Sequence, residues 1–156
     1  MTEPLSLSDR WAQRLALLLP VFLLGGAYIS QYGFNLLPCE MCWYQRYPHF
    51  VALALALISY VAPPKPLWVG LAGLAIAVSG VIGVFHAGVE YRWWESPLGC
   101  TAIDPMALDF VRCDEAAWTL FGVSLAGFNA LFSIGGAVAI WLLLLAKEKT
   151  PREMQA

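Results

Sequence analysis

Residues 43–89 read WYQRYPHFVALALALISYV, then APPKP, then LWVGLAGLAIAVSGVIGVFHAGV. A helix that crosses a bilayer needs about 20 mostly apolar residues. The runs Trp43–Val61 and Leu67–Val89 each fit that requirement. The turn Ala62-Pro63-Pro64-Lys65-Pro66 between them is so short that the two helices must be antiparallel neighbours. Working outward, two further apolar runs lie at about Leu15–Tyr32 and Trp118–Ala146, and no interior of the four carries Asp, Glu or Lys. The apolar part of the first run is too long for a secretory leader and lacks a clear small-residue cleavage site, so it reads as a span. The chain is expected to be all-α: one integral membrane four-helix bundle over residues 1–156, with spans at about 15–32, 43–61, 67–89 and 118–146. The connecting segments 33–42 and 90–117 form two loops on one side, the second long and carrying a cysteine pair.

Composition agrees. Of 156 residues, 60% are hydrophobic and 13% charged, against about 25% charged in soluble domains. Much of the surface therefore faces something other than water. The net charge of −2 and the lack of a Lys/Arg cluster speak against a nucleic-acid partner. Seven Trp and six Tyr suit aromatic belts at the membrane interfaces. With four spans, both termini and the Pro-rich turn share a side, which holds Arg10, Arg14, Lys65, Lys147, Lys149 and Arg152. The opposite side holds Arg46, Arg92 and Arg112, so the excess of positive charge places the termini in the cytoplasm. Cys39, Cys42, Cys100 and Cys113 then all lie outside, which in a bacterium is the periplasm, where disulfides form and persist. Gly70, Gly73, Gly80 and Gly83 in the third span, with Gly127, Gly135 and Gly136 in the fourth, are accounted for by close helix packing.

Cys39-Glu40-Met41-Cys42 is a C-x-x-C pair just before a membrane helix. That spacing lets one thiol resolve an intermediate formed at the other, and a helix N-terminus favours the thiolate. Arg46 lies one turn beyond Cys42, where a fixed cation also favours the anion; an Arg snorkelling to the interface is the plain alternative. His49 continues the stripe, which descends about 10 Å from the interface, although Pro48 kinks the helix or delays its start. His86, near the outer end of the third span, reaches a similar depth. Cys100 and Cys113, twelve residues apart, are by themselves most simply a loop staple. The stretch from Thr101 to Arg112 suits a segment lying on the membrane surface. No metal is expected: the twelve-residue gap is wide for the second half of a zinc signature, and an oxidising compartment disfavours zinc thiolates.

These features together resemble the disulfide bond formation protein B (DsbB) family. Residues Cys39 to Arg46 match its C-x-x-C-x-x-x-R pattern, and the run Cys113 to Gly122 is similar to the segment after the family's last cysteine. The resemblance extends from about Arg10 to Lys147. It implies that Cys39, Cys42, Cys100 and Cys113 are catalytic in a protein-disulfide:quinone oxidoreductase of the bacterial inner membrane. Cys100–Cys113 would be the disulfide that re-oxidises a periplasmic, thioredoxin-fold DsbA-like partner, Cys100 taking the mixed disulfide. Cys113 would exchange with Cys39, and Cys42 would be the thiolate beside a quinone, either ubiquinone or menaquinone. Arg46 would stabilise the charge there, with His86 and His49 near the quinone. A DsbA-type oxidant has a known potential of about −120 mV, so its re-oxidation needs a strong, lipid-soluble electron sink. Two other readings compete: a cytochrome-like protein with His49 and His86 as axial haem ligands, and a scaffold held by two structural disulfides.

Overall fold

The computed structural model describes residues 5–96 and 112–146. Four helices dominate: α1 (Leu7–Gly33), α2 (Glu40–Val61), α3 (Lys65–Glu90) and α4 (Leu125–Leu145). A short antiparallel hairpin, β1 (Thr119–Leu120) with β2 (Val123–Ser124), precedes α4. Cys100 and the stretch expected to lie on the membrane surface fall outside the described residues.

Local chemistry sets the helix ends. The Ser6 hydroxyl accepts from the Asp9 amide at 3.0 Å, and Asp9 adds a first-turn acid that suits the helix dipole. Ser124 caps α4 through the Gly127 amide at 3.1 Å. Before α3, Pro63-Pro64 break the chain, and Pro66 falls in the first turn, where its missing N–H costs nothing. Two prolines lie inside helices, Pro20 in α1 and Pro48 in α2, and both helices run on through them.

Three boundaries differ from the hydropathy reading, the first being that α1 begins at Leu7, where Ser6 caps it, and not near Leu15. The apolar stretch beginning at Trp118 does not enter a helix at once. Phe121 and Gly122 take positive φ (52° and 78°), which a helix cannot accommodate, and the chain turns as a hairpin before Ser124 caps α4. At the third, α2 begins at Glu40, inside the expected loop, because the Cys39 sulfur accepts the Cys42 amide at 3.3 Å and acts as the cap.

In the bundle, α3 packs extensively on α2 and α4, while α1 lies against α2 and α4 on the other side. The core is built from small residues: Ala12 and Ala16, Ala52 and Ala56, Ala72 with Ile76, and Ala137 with Ile140. Such residues let helices approach closely, the usual basis of association in lipid. Gly80 sits at a close α3–α4 approach: an added Cβ would lie 2.7 Å from Ile134 Cγ1 and 3.0 Å from Ser133 Cβ. Large apolar side chains point outward instead, among them Leu18, Leu57, Val81, Leu131 and Leu142. An exterior of this kind is stable against hydrocarbon, not water. Three helices, α1, α3 and α4, are long and apolar enough to cross a membrane. The N-terminal half of α2 is more polar, since it carries Gln45, Arg46 and His49.

Candidate functional site

The cysteine pair sits where α2 begins. Cys39 Sγ and Cys42 Sγ are 2.9 Å apart, close enough for a disulfide to open and close between them with little side-chain rotation. Cys39 is buried, and its hydrogen bond to the Cys42 sulfur, with burial second, pushes its thiol well up from the ordinary range. Cys42 looks the other way, into a cavity of about 360 Å³. Cys113 is fully buried in a small cluster with Cys39, Met41 and Val89, against which Cys42 packs. The structure therefore brings Cys113 to Cys39, and Cys42 to the cavity.

The cavity lies between α1, α2 and α4, with the end of α3 contributing His86 and Glu90. Phe22, Leu24, Leu37, Phe128 and Phe132 supply apolar walls, and Cys42, Arg46, His49 and His86 supply the reactive and polar groups. Its volume falls in the range of small-molecule sites, about 300–1,000 Å³. An apolar cavity that also carries a thiol and a guanidinium can take a largely apolar ligand with a polar head.

Arg46 is 6% exposed and reaches sideways to α1. Its Nη1 donates to Gln31 Oε1 at 2.6 Å and its Nη2 to the Ala27 carbonyl at 3.4 Å, both on α1. The guanidinium lies 4.9 Å from the Tyr28 ring centroid and 4.7 Å from that of Trp43. These contacts fix a buried cation one turn from Cys42.

The two histidines share one buried polar network. His86 Nε2 is 3.5 Å from Cys39 Sγ and 3.8 Å from Glu90 Oε1, and His86 Nδ1 is 2.8 Å from Gln45 Nε2. Asn129 Nδ2 donates to Gln45 Oε1 at 2.8 Å, and Asn129 Oδ1 meets His49 Nε2 at 2.9 Å. Ser79 lies 2.9 Å from the same His49 nitrogen and donates to the Gln45 carbonyl at 2.8 Å. Both Nε2 atoms thus face protein partners, which weakens the haem reading. Sequence reasoning found the histidines but missed Gln45, Ser79, Glu90 and Asn129. A signal existed: Asn129 and Ser133 stand four apart in an otherwise apolar run, and polar side chains there usually bond across helices.

Donor atoms of Cys39, Cys42 and His86 lie within 4.8 Å of one another, a spacing a metal could bridge. His86 Nδ1 faces the Gln45 amide nitrogen at 2.8 Å, whereas a metal-bound histidine ordinarily donates its other ring N–H to an oxygen acceptor. The arrangement suits thiol chemistry better than ligation.

Beyond Cys113, Arg112 forks onto Asp114 at 2.9 and 2.6 Å and holds that carboxyl below the usual range. Tyr91 clips the hairpin to α3, donating to the Gly122 carbonyl at 2.7 Å and accepting the Ser124 amide at 3.1 Å.

A family model described as disulfide bond formation protein DsbB matches residues 9–143. The chain belongs to the DsbB family. Similar relatives named "Disulfide bond formation protein B" come from Shewanella frigidimarina (32% identical, over 88% of this chain and 90% of that one) and Photobacterium profundum (29%, over 85% of each). That of Marinobacter nauticus is 24% identical over 94% of this chain and 98% of its own. No solved structure matches. DsbB membership and the three apolar helices make this a membrane protein of disulfide bond formation.

Proposed function

We propose that this DsbB-family chain re-oxidises a periplasmic DsbA-like thioredoxin-fold protein and passes the electrons to a membrane quinone, ubiquinone or menaquinone. The observation that carries the reading is the division of the C-x-x-C pair: Cys39 packs with Cys113, while Cys42 lines the apolar cavity beside Arg46. In this reading four spans form one membrane domain in the bacterial inner membrane, with cytoplasmic termini and periplasmic cysteines. The partner's thiolate attacks Cys100 in a Cys100–Cys113 disulfide, and Cys113 leaves. Cys113 then attacks Cys39 in the Cys39–Cys42 disulfide, so Cys42 leaves as a thiolate with the electron pair. The partner's second thiolate attacks its own sulfur in the partner–Cys100 disulfide and frees Cys100; Cys100 attacks Cys113 and frees Cys39; Cys39 and Cys42 then close again to a disulfide as their two electrons and two protons leave. Quinone supplies the sink for two electrons and two protons. Arg46 holds positive charge beside Cys42 throughout, and the apolar walls exclude water from the exchange. His49 and His86 also line this cavity, which supports assigning them to the quinone site.

The test is quinone reduction by the detergent-purified protein mixed with a reduced DsbA-like partner, followed by ultraviolet absorbance. One quinone reduced per pair of partner thiols lost supports the reading. Folded protein that reduces neither ubiquinone nor menaquinone refutes it.

A further inference from the structure

We propose that Gln45 is a positioning residue for the thiol chemistry: it holds His86 in the tautomer whose Nε2–H points at Cys39 Sγ. The assignment follows from the chain of bonds. Asn129 Nδ2 carries only hydrogens, so the Gln45 atom it meets at 2.8 Å must be the carbonyl oxygen. Asn129 is itself oriented, because Ser133 donates to its Oδ1 at 3.0 Å while its Nδ2 gives to the Ser79 carbonyl at 3.2 Å. The other end of the Gln45 amide is then the NH₂ group. It donates to the Met41 carbonyl at 3.3 Å and to His86 Nδ1 at 2.8 Å. Nδ1 accepts, so a neutral ring carries its proton on Nε2, 3.5 Å from Cys39 Sγ. Gln45, His86, Met41 and Cys39 are buried and Asn129 is half-buried.

The arrangement matters when Cys39 carries charge. On the proposed reaction, the mixed disulfide Cys39–Cys113 resolves when Cys100 attacks Cys113. A Cys100–Cys113 bond forms, the Cys113–Cys39 bond breaks, and Cys39 leaves with the electron pair. The leaving sulfur is buried beside a second sulfur, both of which oppose the anion. The Cys42 amide and the His86 N–H are the donors that meet it, and only the second depends on a tautomer. The titratable groups facing Cys39 are Cys42 on its own helix, His86 with Glu90 beyond it on α3, and Cys113 ahead of the hairpin. Glu90 Oε1 at 3.8 Å and the Cys113 backbone, which also hydrogen-bonds the His86 ring, compete with the sulfur for the His86 N–H. The inference rests on the reading of Cys39 as an exchange cysteine, but its test needs neither quinone nor partner.

The experiment uses the reduced full-length chain in micelles with nitrogen-15 histidine. The expected ring spectrum of His86 shows a protonated Nε2 and an accepting Nδ1; a protonated Nδ1 overturns the proposal before any variant is made. In full-length protein with Cys42, Cys100 and Cys113 replaced by Ser, Cys39 alkylation is then followed against pH. Gln45→Met, of similar size but without the donor, should give a mixed His86 tautomer, move the profile upward and lower the rate below its midpoint by about threefold. That figure is a tenfold loss of thiolate partly offset by its greater nucleophilicity. His86→Ala should have at least the same effect, and adding Gln45→Met to it should change nothing further. An equal loss on adding Gln45→Met to His86→Ala would show that Gln45 acts by another route and would sink the proposal.

Discussion

Replacing Arg46 by Met should cut quinone reduction by about 10²-fold or more while leaving exchange with the partner intact. The magnitude follows from the donors. A guanidinium offers five N–H groups; two are engaged with Gln31 and Ala27, so a donor remains available at the cavity that Arg46 lines. Loss of one preorganised donor to charge developing in a site of this kind costs about 10²–10³ in rate. Arg46→Met also removes the contacts to the Tyr28 and Trp43 rings, each worth about 0.5–1 kcal/mol or more when desolvated, so the α1–α2 tie weakens as well. Arg46→Lys keeps the charge but not the fork, and should recover only part of the rate. The assay is steady-state quinone reduction at saturating reduced partner, with kcat and KM for quinone resolved and the thermal unfolding midpoint measured in the same detergent. A folded Arg46→Met protein within threefold of the parent in both constants would refute the role and leave Arg46 a structural tie between α1 and α2.

Other substitutions probe the rest of the site. Cys42→Ser should abolish quinone reduction yet still trap the partner as a mixed disulfide at Cys100 on a non-reducing gel; undiminished quinone turnover would break the proposed electron path. Gly83→Ala places a Cβ 3.0 Å from the Ala126 carbonyl, the Ala130 amide and Asn129 Nδ2. It should cost about 1–3 kcal/mol in unfolding, as overpacking does, and an unchanged midpoint would mean that α4 yields freely. The Asp114 carboxyl, lowered by its Arg112 partner, should titrate below an ordinary aspartate and return toward it in Arg112→Ala, read by carboxyl NMR. Because that folded value is depressed, any stability from the pair is present above the unfolded pKa and lost as pH falls through the folded one. Stability that rose on acidification through that window would contradict the assignment.

The sequence by itself determined the helices and the chemistry they carry. Apolar runs around Ala62-Pro63-Pro64-Lys65-Pro66 need no partner to be read, because length and composition are set by the bilayer. The spacing of Cys39, Cys42 and Arg46 was legible for the same reason: one helical turn is a local distance. Where local signals conflicted, hydropathy misjudged the ends. Trp118 to Ser124 is apolar enough for a helix, but positive φ at Phe121 and Gly122 turned it into a hairpin. Only the tertiary structure decided that Cys39 faces Cys113 while Cys42 faces the cavity, since that requires α2, α3 and the segment before β1 to meet. It also decided that Arg46 is buried between two α1 acceptors and two rings, where a sequence allows snorkelling equally well. The Gln45, His86 and Asn129 network belongs to the same class. Its members come from α2, α3 and α4, and a hydrogen bond across helices leaves no periodic trace in any one of them.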